Sequence, residues 1–317
     1  MTTRYIRWPA PAHHAIAALL LTLWVGCGGT ARVTPPRPET LAKRTCVVLS
    51  VGSFRGIAHV GALEAIAQSG LGVDCVVGNS MGSLVGALYA SAPGEPIATR
   101  TRGFLNAYVG QTQSEAGQRA VGGALILGLL TGGIGALVGA GVGAISVDRV
   151  DHGRVVTVLR RHVDGVDIED LPLDYVTFYL KREGDGITLV DATEGDLATA
   201  VGHSIANPFI FQNMQMSRAE GIDPGADRVS ATPVEDACRL FPDARLIAVN
   251  VTGTPVFHSA AMRCPLLEVR IDVGPVDEAA IVRGGPAFDR VVTTGRDATT
   301  AALRASGWEP LMLEGEI

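Results

Sequence analysis

Val73-Asp74-Cys75-Val76-Val77-Gly78-Asn79-Ser80-Met81-Gly82-Ser83-Leu84-Val85-Gly86-Ala87-Leu88-Tyr89-Ala90 runs from a short apolar stretch through a Gly-x-Ser-x-Gly pentapeptide into apolar residues at helical spacing. Residues 73–77 read as a buried strand, and Leu84, Val85, Leu88 and Tyr89 mark a helix that Pro93-Gly94 ends. Ser80 therefore stands on a sharp strand-to-helix elbow. The flanking Gly78 and Gly82 let the backbone turn without Cβ clashes, and the helix N-terminus favours an anion forming beside the hydroxyl.

The same pattern occurs just upstream. Residues 46–50 are a strand-like run entering Val51-Gly52-Ser53, and Val60, Leu63, Ile66 and Ala67 then give a helix that stops at Gly70. Strand, turn and helix twice in succession predict an α/β fold with a mainly parallel sheet flanked by helices. Farther on, residues 175–180 and 187–191 read as strands paired across a turn. Residues 197–205, 233–240 and 288–306 read as helices, and 246–251 and 267–273 as strands.

Composition narrows the function. The chain has 317 residues, 47% hydrophobic and only 5% aromatic, so its core rests on Val, Leu, Ile and Ala. A net charge of -6 without any long Lys/Arg run excludes a nucleic-acid surface. No CxxC or Cys/His cluster is present, so neither a metal site nor a cofactor is expected. The five cysteines include Cys46 and Cys75 inside apolar runs, where cysteine behaves as a small buried hydrophobe.

The N-terminus reads as an address rather than as fold. Arg4 and Arg7 precede an apolar run over 15–25, followed by Gly26-Cys27-Gly28-Gly29. Residues 1–27 are thus an export signal of lipoprotein type, with Cys27 as the lipidated residue. Plain secretion with nearby cleavage is the alternative. Residues 28–44, with Pro35, Pro36 and Pro38, read as a tether, and 45–310 as the domain. Within it, residues 121–147 carry no charge and hold Gly135, Gly139 and Gly143 at four-residue spacing. That insertion is long enough to cross a bilayer, which takes about 20 apolar residues, or it folds as lid-like helices on the domain.

Gly-x-Ser-x-Gly alone is a weak signal, but its surroundings resemble a known family. Residues 49–63, Leu-Ser-Val-Gly-Ser-Phe-Arg-Gly-Ile-Ala-His-Val-Gly-Ala-Leu, resemble the glycine-rich opening of patatin-like phospholipases. Residues 78–90 resemble their nucleophile elbow, and Asp223-Pro224-Gly225 stands where the family has Asp-Gly-Gly/Ala. The resemblance implies a three-layer α/β sandwich and a Ser–Asp dyad that cleaves lipid acyl esters, in the manner of a phospholipase A or lysophospholipase. Ser80 would be the nucleophile, Asp223 the base, and the backbone of Gly52, Ser53, Phe54 and Arg55 the oxyanion hole. Gly56, Gly78, Gly82 and Gly225 complete the motif positions.

Three departures accompany the match. Only Gly52 remains of the family's consecutive glycines, Pro224 replaces a glycine, and the longer spacing to Pro233 leaves Asp227 as a rival base. The expected partners are a lipid or acyl-ester substrate and a membrane surface. The expected location is a bacterial cell envelope. The competing expectation is an envelope lipoprotein of the same fold, weak or inactive as a catalyst, that binds lipid or a protein partner.

Overall fold

A computed structural model describes residues 3–6, 43–116, 150–183, 186–206, 211–212, 221–224, 231–282 and 285–308. Cys27, most of the tether, the 121–147 insertion, Gly225 and Asp227 lie outside the described residues.

Seven strands form the main sheet: β1 (Thr3–Ile6), β2 (Arg44–Leu49), β3 (Cys75–Gly78), β5 (Asp174–Glu183), β6 (Gly186–Ala192), β8 (Ala244–Asn250) and β9 (Leu266–Arg270). Their order is β1-β6-β5-β3-β2-β8-β9. Five of them, β5, β3, β2, β8 and β9, run parallel, while β6 turns back antiparallel on β5 and carries β1 at its edge. A separate pair joins β4 (Val150–Asp151) to β7 (Phe211–Gln212). The mainly parallel α/β sheet is as the sequence predicts. Two local differences concern the leader: Thr3–Ile6, inside the segment read as a signal, pair with β6, and Arg44, read as tether, opens β2.

Alternation along the central strands sorts side chains into two layers. Val47, Leu49 and Val76 face a large core with α1 (Ala58–Gln68), α2 (Met81–Ala90), α3 (Ile97–Ala116), α4 (His152–His162) and α5 (Leu197–Ser204). The short α7 (Glu278–Val282) and the long α8 (Pro286–Ser306) close the same side. Cys46, Val48, Cys75 and Val77 face the opposite layer, which is covered by α6 (Val234–Leu240). Helices thus cover both faces, giving a three-layer sandwich.

Backbone proximity fixes two of these contacts. A Cβ at Gly61 of α1 would fall on the Val292 carbonyl oxygen of α8, and one at Gly295 on the Ala58 carbonyl oxygen. The helices therefore cross in direct backbone contact, flanked by the Arg296–Glu64 ion pair. On the other face, Cys46 and Cys75 sit opposite each other in register with Cα atoms 4.5 Å apart, joined as a disulfide. Cys238 of α6 and Cys264 form a second, with Cα atoms 5.7 Å apart. All four are buried, as expected of Cys46 and Cys75, and all four are paired, which spacing along the chain does not reveal. No described helix is long and apolar enough to cross a membrane.

Candidate active site

Adjacent parallel strands β2 and β3 end side by side, and each hands the chain to a tight turn and a helix. From β3 the chain enters the elbow. Ser80 has φ 53° and ψ −122°, a region that L residues avoid and that costs about 1–3 kcal/mol, so its surroundings must enforce it. Both motif glycines answer to contacts of backbone with backbone. A Cβ at Gly78 would meet the Gly82 carbonyl, and one at Gly82 would meet the Leu49 and Ser50 carbonyls at 2.5 and 2.6 Å. The elbow thus abuts the end of β2.

Ser80 Oγ donates to Asp223 Oδ2 at 2.7 Å. Asp223 is 8% exposed and arrives on a strand-like segment rather than on a free loop. Ile222, beside it, exchanges both backbone hydrogen bonds with Leu180 of β5, at 2.8 and 2.7 Å. The C-terminus of α5 grips both partners. Ser80 N–H donates to Ser204 Oγ at 3.0 Å, and Asp223 N–H donates to the Ala206 carbonyl at 3.0 Å. Nothing in the sequence around Ser204 signals that role, because the contact spans 124 positions.

From β2 the chain enters a 3-10 turn, Ser53–Ile57, that leads into α1. The sequence leaves Gly52 as the one glycine of this opening where the family has consecutive glycines. Gly52 has φ 174°, extended backbone open to any residue, and Ser53 has φ 47°. Gly52 is needed instead for space, since a Cβ there would strike the Val251 side chain. The left-handed position that a family glycine would fill without strain is held by a serine. Of the four turn residues expected to cradle an oxyanion, Arg55 donates its amide to the Gly52 carbonyl at 3.1 Å. The amides of Ser53 and Phe54 head the turn without an acceptor among the described residues. Gly56 lets the turn pack on α2, because a Cβ there would meet the Met81 side chain at 2.5 Å.

Electrostatics around the turn are shaped by burial. His59 is fully buried, its Nε2 2.9 Å from the Ser50 carbonyl. Burial lowers its pKa to about 4, with the Ser50 hydrogen bond opposing, so it is neutral at physiological pH. It is no base for Ser80; it pins the end of β2. Burial pushes the Glu278 carboxyl up to about 7, partly offset by the Arg55 guanidinium, and Arg55 itself is exposed. His152 and His203, like His59, are engaged structurally: His152 Nε2 lies 2.6 Å from the Gly202 carbonyl, and His203 packs on Tyr179 at 4.8 Å. Among the described residues no His/Cys/Asp/Glu group could hold a metal. A shallow cavity of about 370 Å³ lies beside α6, in the other layer, lined by Glu235, Arg239, Met262 and Arg263. Arg239 is already paired with Asp191 and Asp236, and the cavity holds neither Ser80 nor Asp223.

Known proteins share parts of this chain. A patatin-like phospholipase domain-containing protein of Caenorhabditis elegans, ZK370.4, is 46% identical over 61 residues, 19% of this chain and 4% of that protein. Lysophospholipase nte1 of Aspergillus fumigatus is 49% identical over 55 residues, 16% of this chain and 4% of the relative. The matched stretch is thus a small fraction of either relative. Among solved structures, VipD from Legionella pneumophila is similar with a TM-score of 0.40 at 12% identity, covering 83% of this chain and 67% of its own. ExoU from Pseudomonas aeruginosa, solved in complex with SpcU, gives 0.38 at 16%, covering 82% and 52%. The family model for patatin-like phospholipases matches residues 47–237, a span from β2 to α6 that contains both ends of the Ser80–Asp223 hydrogen bond, and the chain belongs to that family.

Proposed function

We propose that this chain is a serine acyl hydrolase that cleaves acyl esters of lipids, as a phospholipase A or lysophospholipase does. The observation that carries the reading is the 2.7 Å hydrogen bond from Ser80 Oγ to Asp223 Oδ2 at a left-handed elbow. Ser80 Oγ attacks the acyl carbonyl as its proton passes to Asp223, and the new C–O bond gives a tetrahedral oxyanion. The Ser53 and Phe54 amides are the available donors for that charge, and such a donor is typically worth about 3 kcal/mol. Collapse breaks the ester bond, and the departing alkoxide takes the proton from Asp223. Water then attacks the acyl-enzyme, gives its proton to Asp223, and releases the fatty acid as Ser80 recovers its hydrogen.

The competing reading is a fold retained for binding, and one observation favours it: Ser53 occupies the left-handed position of the turn at a cost glycine would not incur. Labelling with a fluorophosphonate probe, followed by peptide mass spectrometry, separates the two. Modification of Ser80 is expected; a folded protein that takes up no label is a binding module.

We further propose that the domain is exported and hung from a bacterial membrane by lipid on Cys27. The two buried disulfides support an oxidising compartment. Several acyl chains anchor firmly where one binds marginally, so Cys27→Ala should move protein from the membrane to the soluble fraction. Residues 121–147 would bring the cleft to the same bilayer. Deleting them should then reduce hydrolysis of vesicle lipid more than that of soluble esters.

A further inference from the structure

Ser80 keeps its strained conformation only if the chain on both sides of it is held, and three buried hydroxyls do this from beneath. Thr177 Oγ1 donates to the Gly78 carbonyl at 2.9 Å, two residues before the serine. Tyr175 OH donates to the Ser83 carbonyl at 2.9 Å, three residues after it. Ser83 Oγ lies between them, 2.9 Å from both the Tyr175 oxygen and Thr177 Oγ1. Thr177 and Ser83 are fully buried and Tyr175 nearly so.

Three hydroxyl hydrogens serve four contacts. The two carbonyls can only accept, so Thr177 and Tyr175 spend their single hydrogens there. The Ser83 hydrogen then goes to one of their two oxygens, and the other 2.9 Å approach is an oxygen–oxygen contact without a hydrogen. Register explains why these side chains arrive together. Thr177 pairs with Gly78 and Tyr175 with Val76 across the parallel β3–β5 ladder, and residues two apart on β5 share a face. Burial also raises the Tyr175 pKa, so the phenol keeps its hydrogen across the physiological range.

We propose that Ser83, Thr177 and Tyr175 are positioning residues for the nucleophile, a hydroxyl truss that clamps the two ends of the elbow and thereby aims Ser80 Oγ. None of the three touches substrate. The proposal rests on the acyl-hydrolase reading. A loosened elbow would leave substrate binding intact and slow the attack, because small misplacements of a nucleophile cost rate steeply.

The experiment compares wild type with Thr177→Val, Thr177→Ser and Ser83→Ala. It measures fluorophosphonate labelling rate, kcat and KM on a soluble acyl ester, and the melting temperature. Thr177→Val and Ser83→Ala should lower labelling rate and kcat together, on the order of 10-fold, with KM little changed. Thr177→Ser restores the hydroxyl and should recover most of the rate. Equal impairment of the Ser and Val variants would overturn the proposal, as would a lowered melting temperature with an unchanged labelling rate. Ser83→Ala removes a single oxygen and carries the test if Thr177→Val does not fold. Wild type that fails to label would sink the acyl-hydrolase reading itself, an outcome distinct from variants that label at the wild-type rate.

Discussion

The two turns at the ends of β2 and β3 begin alike and are built differently. Each leaves a buried parallel strand, each leads into a helix, and each forces a serine, Ser53 or Ser80, to positive φ. Around Ser80 the conformation is enforced by glycine contacts, by Ser204 and by the hydroxyls beneath. Around Ser53 the supports are of another kind: Arg55 N–H on the Gly52 carbonyl, Val51 N–H on the Ala231 carbonyl, His59 beneath Ser50, and Gly52 and Gly56 packed on the Val251 and Met81 side chains rather than on backbone. Strain is tolerated where neighbours over-determine it. The turn that departs from the family pattern thus packs its glycines on side chains, while the elbow packs both of its glycines on backbone.

The largest effect should come from the elbow itself. Ser80→Ala should abolish ester hydrolysis and leave the melting temperature nearly unchanged. Asp223→Asn should lose almost as much activity, and Asp227→Asn much less. If the Asp227 variant proved the inactive one, the 2.7 Å contact to Asp223 would not be the working dyad.

Glycine replacement sharpens the contrast. In Gly82→Ala the methyl meets the Leu49 and Ser50 carbonyls, which belong to a central strand and cannot yield. In Gly52→Ala it meets the buried Val251 side chain, which must shift, rather than a strand carbonyl. Denaturant unfolding should show about 3 kcal/mol lost at Gly82 and about 1–2 kcal/mol at Gly52. Equal losses would mean that the elbow is no more rigid than the turn.

The next effect is one of pH. His59 has a folded pKa of about 4 against an unfolded value near 6.5, so the unfolded chain binds the extra proton first. The stability associated with neutral His59 is complete above the unfolded pKa and is lost as pH falls from about 6.5 towards 4. Between pH 7 and 4.5 the loss should be about 2 kcal/mol, and His59→Gln should flatten that slope. An unchanged slope in the variant would remove His59 as the titrating group.

The smallest effect belongs to Ser53→Gly. It relieves the left-handed strain while giving the unfolded chain more freedom, so stability should rise by no more than about 1 kcal/mol. Activity should hold or increase if the turn serves as the oxyanion site. A sharp loss of activity would show that the Ser53 side chain, and not only its amide, takes part.

Much of this architecture was legible in the sequence because it is local. The strand–elbow–helix passage, the first turn and the β5–β6 hairpin each follow from apolar period and glycine placement, and all appear where predicted. The helix at His152–His162 was passed over, although Val155, Val158 and Leu159 carry its buried stripe at helical spacing. Helix α3 offers a weaker pattern because its later half is polar. What could not be read depends on register between distant strands. The Cys46–Cys75 pairing, the approach of Thr177 to Gly78 and the grip of Ser204 on Ser80 join residues 29, 99 and 124 positions apart. The positive φ of Ser53 was illegible for another reason: composition shows which residue tolerates positive φ, not which one adopts it.

The crossing of α1 and α8 sets a timetable for the molecule. Helix α1 grows directly out of the turn that follows β2, and it reaches final packing only against a helix whose Arg296 bonds Glu64 across 232 positions of chain. A ribosome delivers the turn and the elbow early and their buttress late. A nascent chain halted before residue 295 has Ser80 already made but lacks the helix that presses on α1 from behind.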